Sequence, residues 1–128
     1  YGKPDLFITF TCNPRWPEIT QNLGRWSTPN DRPDLIARVF HAKLKALMQD
    51  ITVNRVFGNV DAYVYTVEFQ KRGLPHAHIL VILGEESKLL TAEDVDNVVC
   101  ASLPDPATDR RLFDCVTSHM IHGPCGQL

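Results

Sequence analysis

The chain has 128 residues, 44% of them hydrophobic, and a formal net charge of -2. That length and apolar content suit one globular domain and exclude a disordered chain, while the charge excludes a surface that is basic throughout, so any nucleic-acid binding must come from local patches. No run approaches the roughly 18 consecutive apolar residues of a membrane span, and the N-terminus lacks the basic, apolar, small-residue order of a secretory signal, so no membrane partner is expected.

The first predicted element is the aromatic and β-branched run from Asp5 to Cys12, a strand closed by Asn13-Pro14. Arg15 to Pro29 reads as a connection with a short helical turn around Glu18 to Leu23. Asp31 is placed to cap a helix that accepts Pro33 in its first turn and runs to Thr52, with Ile36, Phe40, Leu44, Leu47 and Ile51 recurring at helical spacing. Arg38, Lys43 and Lys45 fall on its solvated side, and His41 is an ordinary helix residue.

Asp61 to Gln70 and His76 to Leu83 are strands by composition, and the short connection Lys71 to Pro75 makes them an antiparallel hairpin. Thr91-Ala92-Glu93-Asp94 has the form of a capping box opening a helix through Val95, Val98 and Val99. After a loop from Pro104 to Thr108, Arg110 to His119 is a helix with Leu112, Phe113 and Val116 on one side. The order strand, helix, strand, strand, helix implies an α+β fold in which an antiparallel sheet carries its helices on one face and leaves the other open.

Alternation along the hairpin decides which residues share the open face. His76 and His78 are separated by one residue, so both imidazoles point to the same side in chelating geometry. Tyr63, Tyr65, Val67 and Phe69 have the apolar parity of a core, leaving Glu68 and Gln70 as the carboxylate and amide able to face the histidines. Two imidazoles and one oxygen ligand leave coordination positions open for water and a phosphate oxygen, which suits Lewis-acid work on a phosphodiester. A closed structural zinc site would need four protein ligands instead.

Three longer strings extend this reading. They are Phe10-Thr11-Cys12-Asn13-Pro14-Arg15-Trp16-Pro17-Glu18-Ile19, the run from Val67 through His76-Ala77-His78 to Leu80, and Met120-Ile121-His122-Gly123-Pro124-Cys125-Gly126. Together, and in this order, they resemble the replication-initiator domain of Helitron transposases, the Helitron helicase-like N-terminal domain. The resemblance implies an HUH/Rep-like endonuclease fold, a ferredoxin-like relative, in which a His-held Mg²⁺ or Mn²⁺ polarises the scissile phosphate of single-stranded DNA. A tyrosine attacks that phosphate, and a 5′-phosphotyrosyl intermediate conserves the bond for strand transfer in rolling-circle transposition. It implies His76 and His78 as ligands, with Gln70 the first choice for the third and Glu68 the reserve. It also implies a C-terminal helicase domain in the same polypeptide and a nuclear location.

The family's nucleophilic tyrosines lie well beyond its His motif. Here the tyrosines are Tyr1, Tyr63 and Tyr65, all read as structural or incidental, so the nucleophile is expected beyond Leu128 and residues 1–128 as one partial domain that binds metal without cleaving. The start at Tyr1 and the end at Gln127-Leu128, just after a Cys/His cluster, give the same expectation of a fragment. Thr9 and Thr11 share a strand face that could line the DNA groove, and Lys71 and Arg72 in the hairpin connection are candidate phosphate contacts. Trp16 and Trp26 could stack on unpaired bases, although packing at the sheet edge is the expected role of both.

Cys115, His119, His122 and Cys125 have spacings within reach of a zinc site, set against an ordinary helix face for the first two. The four cysteines lack the spacing of a secreted disulfide scaffold, which favours a reducing compartment. Two other functions are open: a non-catalytic single-stranded DNA-binding remnant in a helicase-containing protein, and a cupin-like metalloenzyme, which would need many more short strands.

Overall fold

Residues 75–83 alternate strictly between buried and half-buried positions, the pattern of a central strand with one covered and one open face. The computed structural model describes residues 2–70 and 73–121. It is α+β, with strands β1 (Leu6–Thr11), β2 (Val60–Phe69) and β3 (Pro75–Leu83) and helices α1 (Pro17–Thr20), α2 (Pro33–Thr52), α3 (Ala92–Val98) and α4 (Arg110–His119). These form two compact units, Tyr1–Leu90 and Thr91–Leu128. No helix among the described residues is long and apolar enough to cross a membrane.

In the first unit the strands form a three-stranded sheet in the order β1-β3-β2, with β3 antiparallel to both neighbours. Among the described residues there are three strands, fewer than a cupin-like barrel would require. Ala77, Ile79, Val81 and Leu83 are fully buried on one face, joined by Leu6 from β1 and by Ile36, Phe40, Leu44, Met48 and Ile51 from α2. Phe10 stacks on Phe40 at 5.3 Å, tying β1 to the helix. Met48 rather than Leu47 completes the buried stripe of α2, because the step of four from Leu44 keeps closer to the helical period than the step of three.

The cap of α2 differs from the sequence expectation. Arg32 occupies the N-cap without a side-chain cap, and Asp31 closes a 3-10 turn over Pro29–Asp31, where it accepts from the Thr28 amide and hydroxyl at 2.8 Å each. Those two bonds hold its carboxyl below the usual carboxylate range. Around α1, the Lys43 ammonium pairs with Glu18 at 2.8 Å and lies 5.0 Å over the Trp16 ring, which stacks on Phe10. Trp16 therefore packs as expected, whereas Trp26 is 90% exposed, with the Arg25 guanidinium beside it.

The helix layer covers the sheet unevenly. Tyr63, Tyr65, Val67 and Phe69 do pair with Val81, Ile79, Ala77 and Pro75, so they share the helix side, but they are 40–62% exposed rather than core. The reason is position: β2 is an edge strand, and the apolar stripe of α2 is spent on the central strand and β1. Asp5 fastens the far end, its carboxylate accepting from the Leu83 amide at 2.8 Å and pairing with Lys88 at 3.4 Å. Cys12, at the other end of β1, is 3% exposed, and burial pushes its thiol up to about 11, so it packs as an uncharged apolar side chain.

Gly58 turns the chain into β2 with φ +99°, and a Cβ there would lie 2.6 Å from the Ser87 Cβ. The Ser87 hydroxyl in turn accepts from the Asn59 amide, so the serine cannot swing away without losing that bond. Gly58→Ala is therefore expected to destabilise the fold by about 2 kcal/mol, read as a lower midpoint in urea at unchanged m-value.

In the second unit, Thr91 accepts from the Asp94 amide while Asp94 accepts from that of Thr91, the expected capping box. Asp109 caps α4 by accepting from the Leu112 amide at 2.9 Å. An apolar cavity of about 580 Å³ is lined by residues including Val98, Leu103, Leu112, Val116 and Met120.

Candidate metal and DNA-phosphate site

The open face of the sheet is built by register. Thr11 of β1, His76 of β3 and Glu68 of β2 lie in one cross-strand row, and Thr9, His78 and Thr66 lie in the next. Directly paired residues project to the same side, so the β3 histidines are flanked by a threonine on one neighbour and by polar β2 residues on the other. Thr9, Thr11, Glu68, Phe69, Gln70, His76 and His78 line one open pocket of about 540 Å³.

The hairpin turn sets where Gln70 enters this pocket. Its amide donates to the Leu74 carbonyl at 3.1 Å and its carbonyl accepts from the Gly73 amide at 2.8 Å, with Gly73 at φ +78°. That left-handed residue is what lets the chain return directly into β3, keeping Gln70 beside His76.

The imidazoles are half-buried and held from one side. His76 Nδ1 lies 3.2 Å from the Thr11 hydroxyl, and His78 Nδ1 lies 3.4 Å from that of Thr9. The two rings are 6.3 Å apart between centroids and tilted by 38°. His78 Nε2 faces the Glu68 carboxylate at 3.6 Å, an ion-pair distance too long for a hydrogen bond. Phe7, 65% exposed, stacks on His78 at 5.7 Å with the planes only 5° apart.

Phe7 is a site residue that strand parity alone would have found, since it shares its face with Thr9 and Thr11. Beyond it the open face turns apolar. Leu80 pairs with Phe7 and Val64, and Ile82 pairs with Ala62.

The structure thus brings together His76, His78, Glu68, Gln70, Thr9 and Thr11. Lys71, Arg72, His122, Cys125 and Tyr1 lie outside the described residues. Cys115 and His119 sit one turn apart on α4, where both line a surface hollow with Arg110, Arg111, Asp114 and Ser118. Tyr63 and Tyr65 project from the side of the sheet opposite to the histidines.

Chemically the pocket suits a divalent cation better than a bare anion. Glu68 is a carboxylate, and beside it the two imidazoles and the Gln70 carboxamide offer lone pairs that a cation can take. No three His, Cys, Asp or Glu side chains among the described residues form a ready-made ligand group. The His pair, with the Gln70 amide and the Glu68 carboxylate in the same pocket, is the donor set available, and two imidazoles with an oxygen ligand fit a metal such as Mn²⁺.

The sequence model of the family described as "Helitron helicase-like domain at N-terminus" matches residues 1–81, which take in β1, β2 and β3 as far as Val81. No curated protein matches the chain.

Proposed function

Since the chain belongs to the Helitron helicase-like N-terminal domain family, we propose that its open sheet face is the phosphate-activating part of an HUH-type site for metal-dependent single-stranded DNA nicking and strand transfer in rolling-circle transposition. The observation that carries this reading is the pairing of two threonine-held imidazoles with a carboxylate and a carboxamide around one open pocket.

His76 and His78 would hold a Mg²⁺ or Mn²⁺ ion, with Gln70 or Glu68 as the oxygen ligand. When bound, the ion supplies a Lewis acid that offsets charge on the phosphate oxygens. The protein's part is to present two neutral imidazoles in fixed orientation and to leave one side open to an extended strand. The exposed ring of Phe7 stands beside His78, where an unpaired base could stack next to the reacting phosphate. Tyr63 and Tyr65 face away, so the attacking tyrosine of this reading comes from outside the described residues.

The test is calorimetric titration of the folded chain with Mn²⁺, followed by fluorescence anisotropy with single- and double-stranded oligonucleotides in Mn²⁺ or EDTA. We expect saturable one-site Mn²⁺ binding and a preference for the single strand that EDTA weakens. A folded chain that takes up no Mn²⁺ would sink the metal reading. Single-strand binding indifferent to EDTA would replace it with a non-catalytic DNA-binding module.

A further inference from the structure

We infer that the apolar end of the open sheet face is a base-binding subsite, in which Phe7, Val64 and Leu80 take the unpaired base of the nucleotide next to the phosphate at the His pair. The inference rests on the proposed single-stranded DNA reading of that pocket and adds the part of the substrate that a metal ion does not touch. Phe7, Leu80 and Val64 pair directly across β1, β3 and β2, in the same-face row that follows Thr9, His78 and Thr66. Two residues along a strand span about 7 Å, so the apolar row lies within reach of a base whose own phosphate sits at the histidines.

The face divides chemically as a nucleotide does. Around the histidines its side chains are hydroxyls, a carboxylate and a carboxamide. Beyond them Phe7 is 65% and Val64 58% exposed, and a hollow of about 360 Å³ is lined by Pro4, Ala62, Tyr63, Val64, Leu80 and Ile82. Tyr63 projects to the other side of the sheet, so the side chains meeting this hollow from the open face carry no hydrogen-bonding group. A base seated there gives its flat face to apolar contact and keeps its hydrogen-bonding edge in water, which is a grip without sequence readout. An apolar peptide would fill the hollow and leave the polar half of the face unmatched, and a duplex keeps its bases paired and stacked. A single strand supplies phosphate and free base within one nucleotide.

The Phe7 ring is already one leaf of a stack, its centroid 5.7 Å from that of His78 and the two planes 5° apart. One side of the ring is spent on the imidazole, while most of the residue stays exposed, so a base can extend the same stack. A side chain ordered before binding loses less rotamer freedom when its partner arrives. Because the other leaf is His78, the stacked base is held beside the proposed phosphate position rather than elsewhere on the sheet.

The experiment measures fluorescence anisotropy of the full chain with two strands of equal length, oligo(dT) and a strand in which every nucleotide is abasic, each in Mn²⁺ and in EDTA. The two carry the same phosphates, so their difference reads the bases. The parent should prefer oligo(dT). Phe7→Ala should weaken oligo(dT) binding by roughly 5-fold or more, the loss of one stacked base, and abasic-strand binding by much less, while Phe7→Trp keeps the preference. Methyl NMR of the unsubstituted chain gives a second readout: the Val64 and Leu80 methyls should shift with oligo(dT) and stay in place with the abasic strand.

Val64 and Leu80 methyls unmoved by bound oligo(dT) would overturn the inference whether or not a variant folds. So would a folded Phe7→Ala chain that loses both strands equally. Methyl shifts that grow with protein concentration in the absence of DNA would assign the row to contact between copies of the chain, and also overturn it. A parent that prefers oligo(dT) in EDTA yet takes up no Mn²⁺ keeps the base subsite and sinks the metal reading. A parent that binds Mn²⁺ yet treats the two strands alike does the reverse, so the two failures are distinguishable.

Discussion

Replacing His76 and His78 together by alanine is expected to weaken Mn²⁺ binding by more than about 100-fold, beyond the roughly 10- to 100-fold that changes to outer-shell partners cost. The far-UV circular dichroism should stay that of the parent. Both rings lie on the open face and are half-buried, whereas their strand neighbours Ala77 and Ile79 are fully buried and anchor β3, so removing the imidazoles leaves the core intact. Calorimetry on the double variant, with circular dichroism as the folding check, measures this. Retained binding in a folded double variant would place the metal elsewhere.

The same titration separates the two oxygen donors. Glu68 lies in the cross-strand row of His76 with its carboxylate 3.6 Å from His78, while Gln70 enters from the hairpin turn. If Gln70 is the ligand, Gln70→Ala should lose most of the affinity and Glu68→Gln should lose only the Coulombic part. The reverse order would assign the carboxylate.

The second large effect is on stability. Phe40→Ala is expected to cost about 3–5 kcal/mol, the range for emptying a packed phenylalanine site. Phe40 is 3% exposed and stacks on Phe10, so it joins α2 to the edge strand that supplies Thr9 and Thr11. Against a total stability of roughly 5–15 kcal/mol for a small domain, such a loss leaves the sheet close to unfolding at ambient temperature. Urea denaturation followed by circular dichroism checks it.

Phe69→Ala is the informative control. At 62% exposure it should change stability by no more than about 0.5 kcal/mol. A cost approaching that of Phe40→Ala would mean that the β2 edge is covered in solution.

Those two phenylalanines show where the sequence was readable and where it was not. Both look like core residues, and by parity Phe69 does belong to the helix side of the sheet. Whether a side chain on that side is buried depends on what lies over it, and α2 has one apolar stripe to give. Trp26 failed in the same way: its size argued for packing, yet no neighbouring element closes over it, and it is 90% exposed. The Asp31 cap was misread because its chemistry was right but its partner wrong, the carboxylate bonding Thr28 in a preceding turn instead of an amide inside α2.

The sequence by itself determined the elements and the parity of the site. Period-two alternation set His76 and His78 on one face and Ala77 and Ile79 on the other, helical spacing defined most of the α2 stripe, and capping chemistry located the start of α3. These are local properties, fixed by backbone geometry over a few residues.

Only the tertiary structure decided the register of β1 against β3, which puts Thr11 against His76 and Thr9 against His78. That pairing joins residues more than sixty positions apart and is selected by how Leu6, Ile8 and Phe10 fit with β3 beneath α2. Strand order and register are set by the shared core, so the orientation of the two imidazoles is a consequence of packing on the opposite side of the sheet.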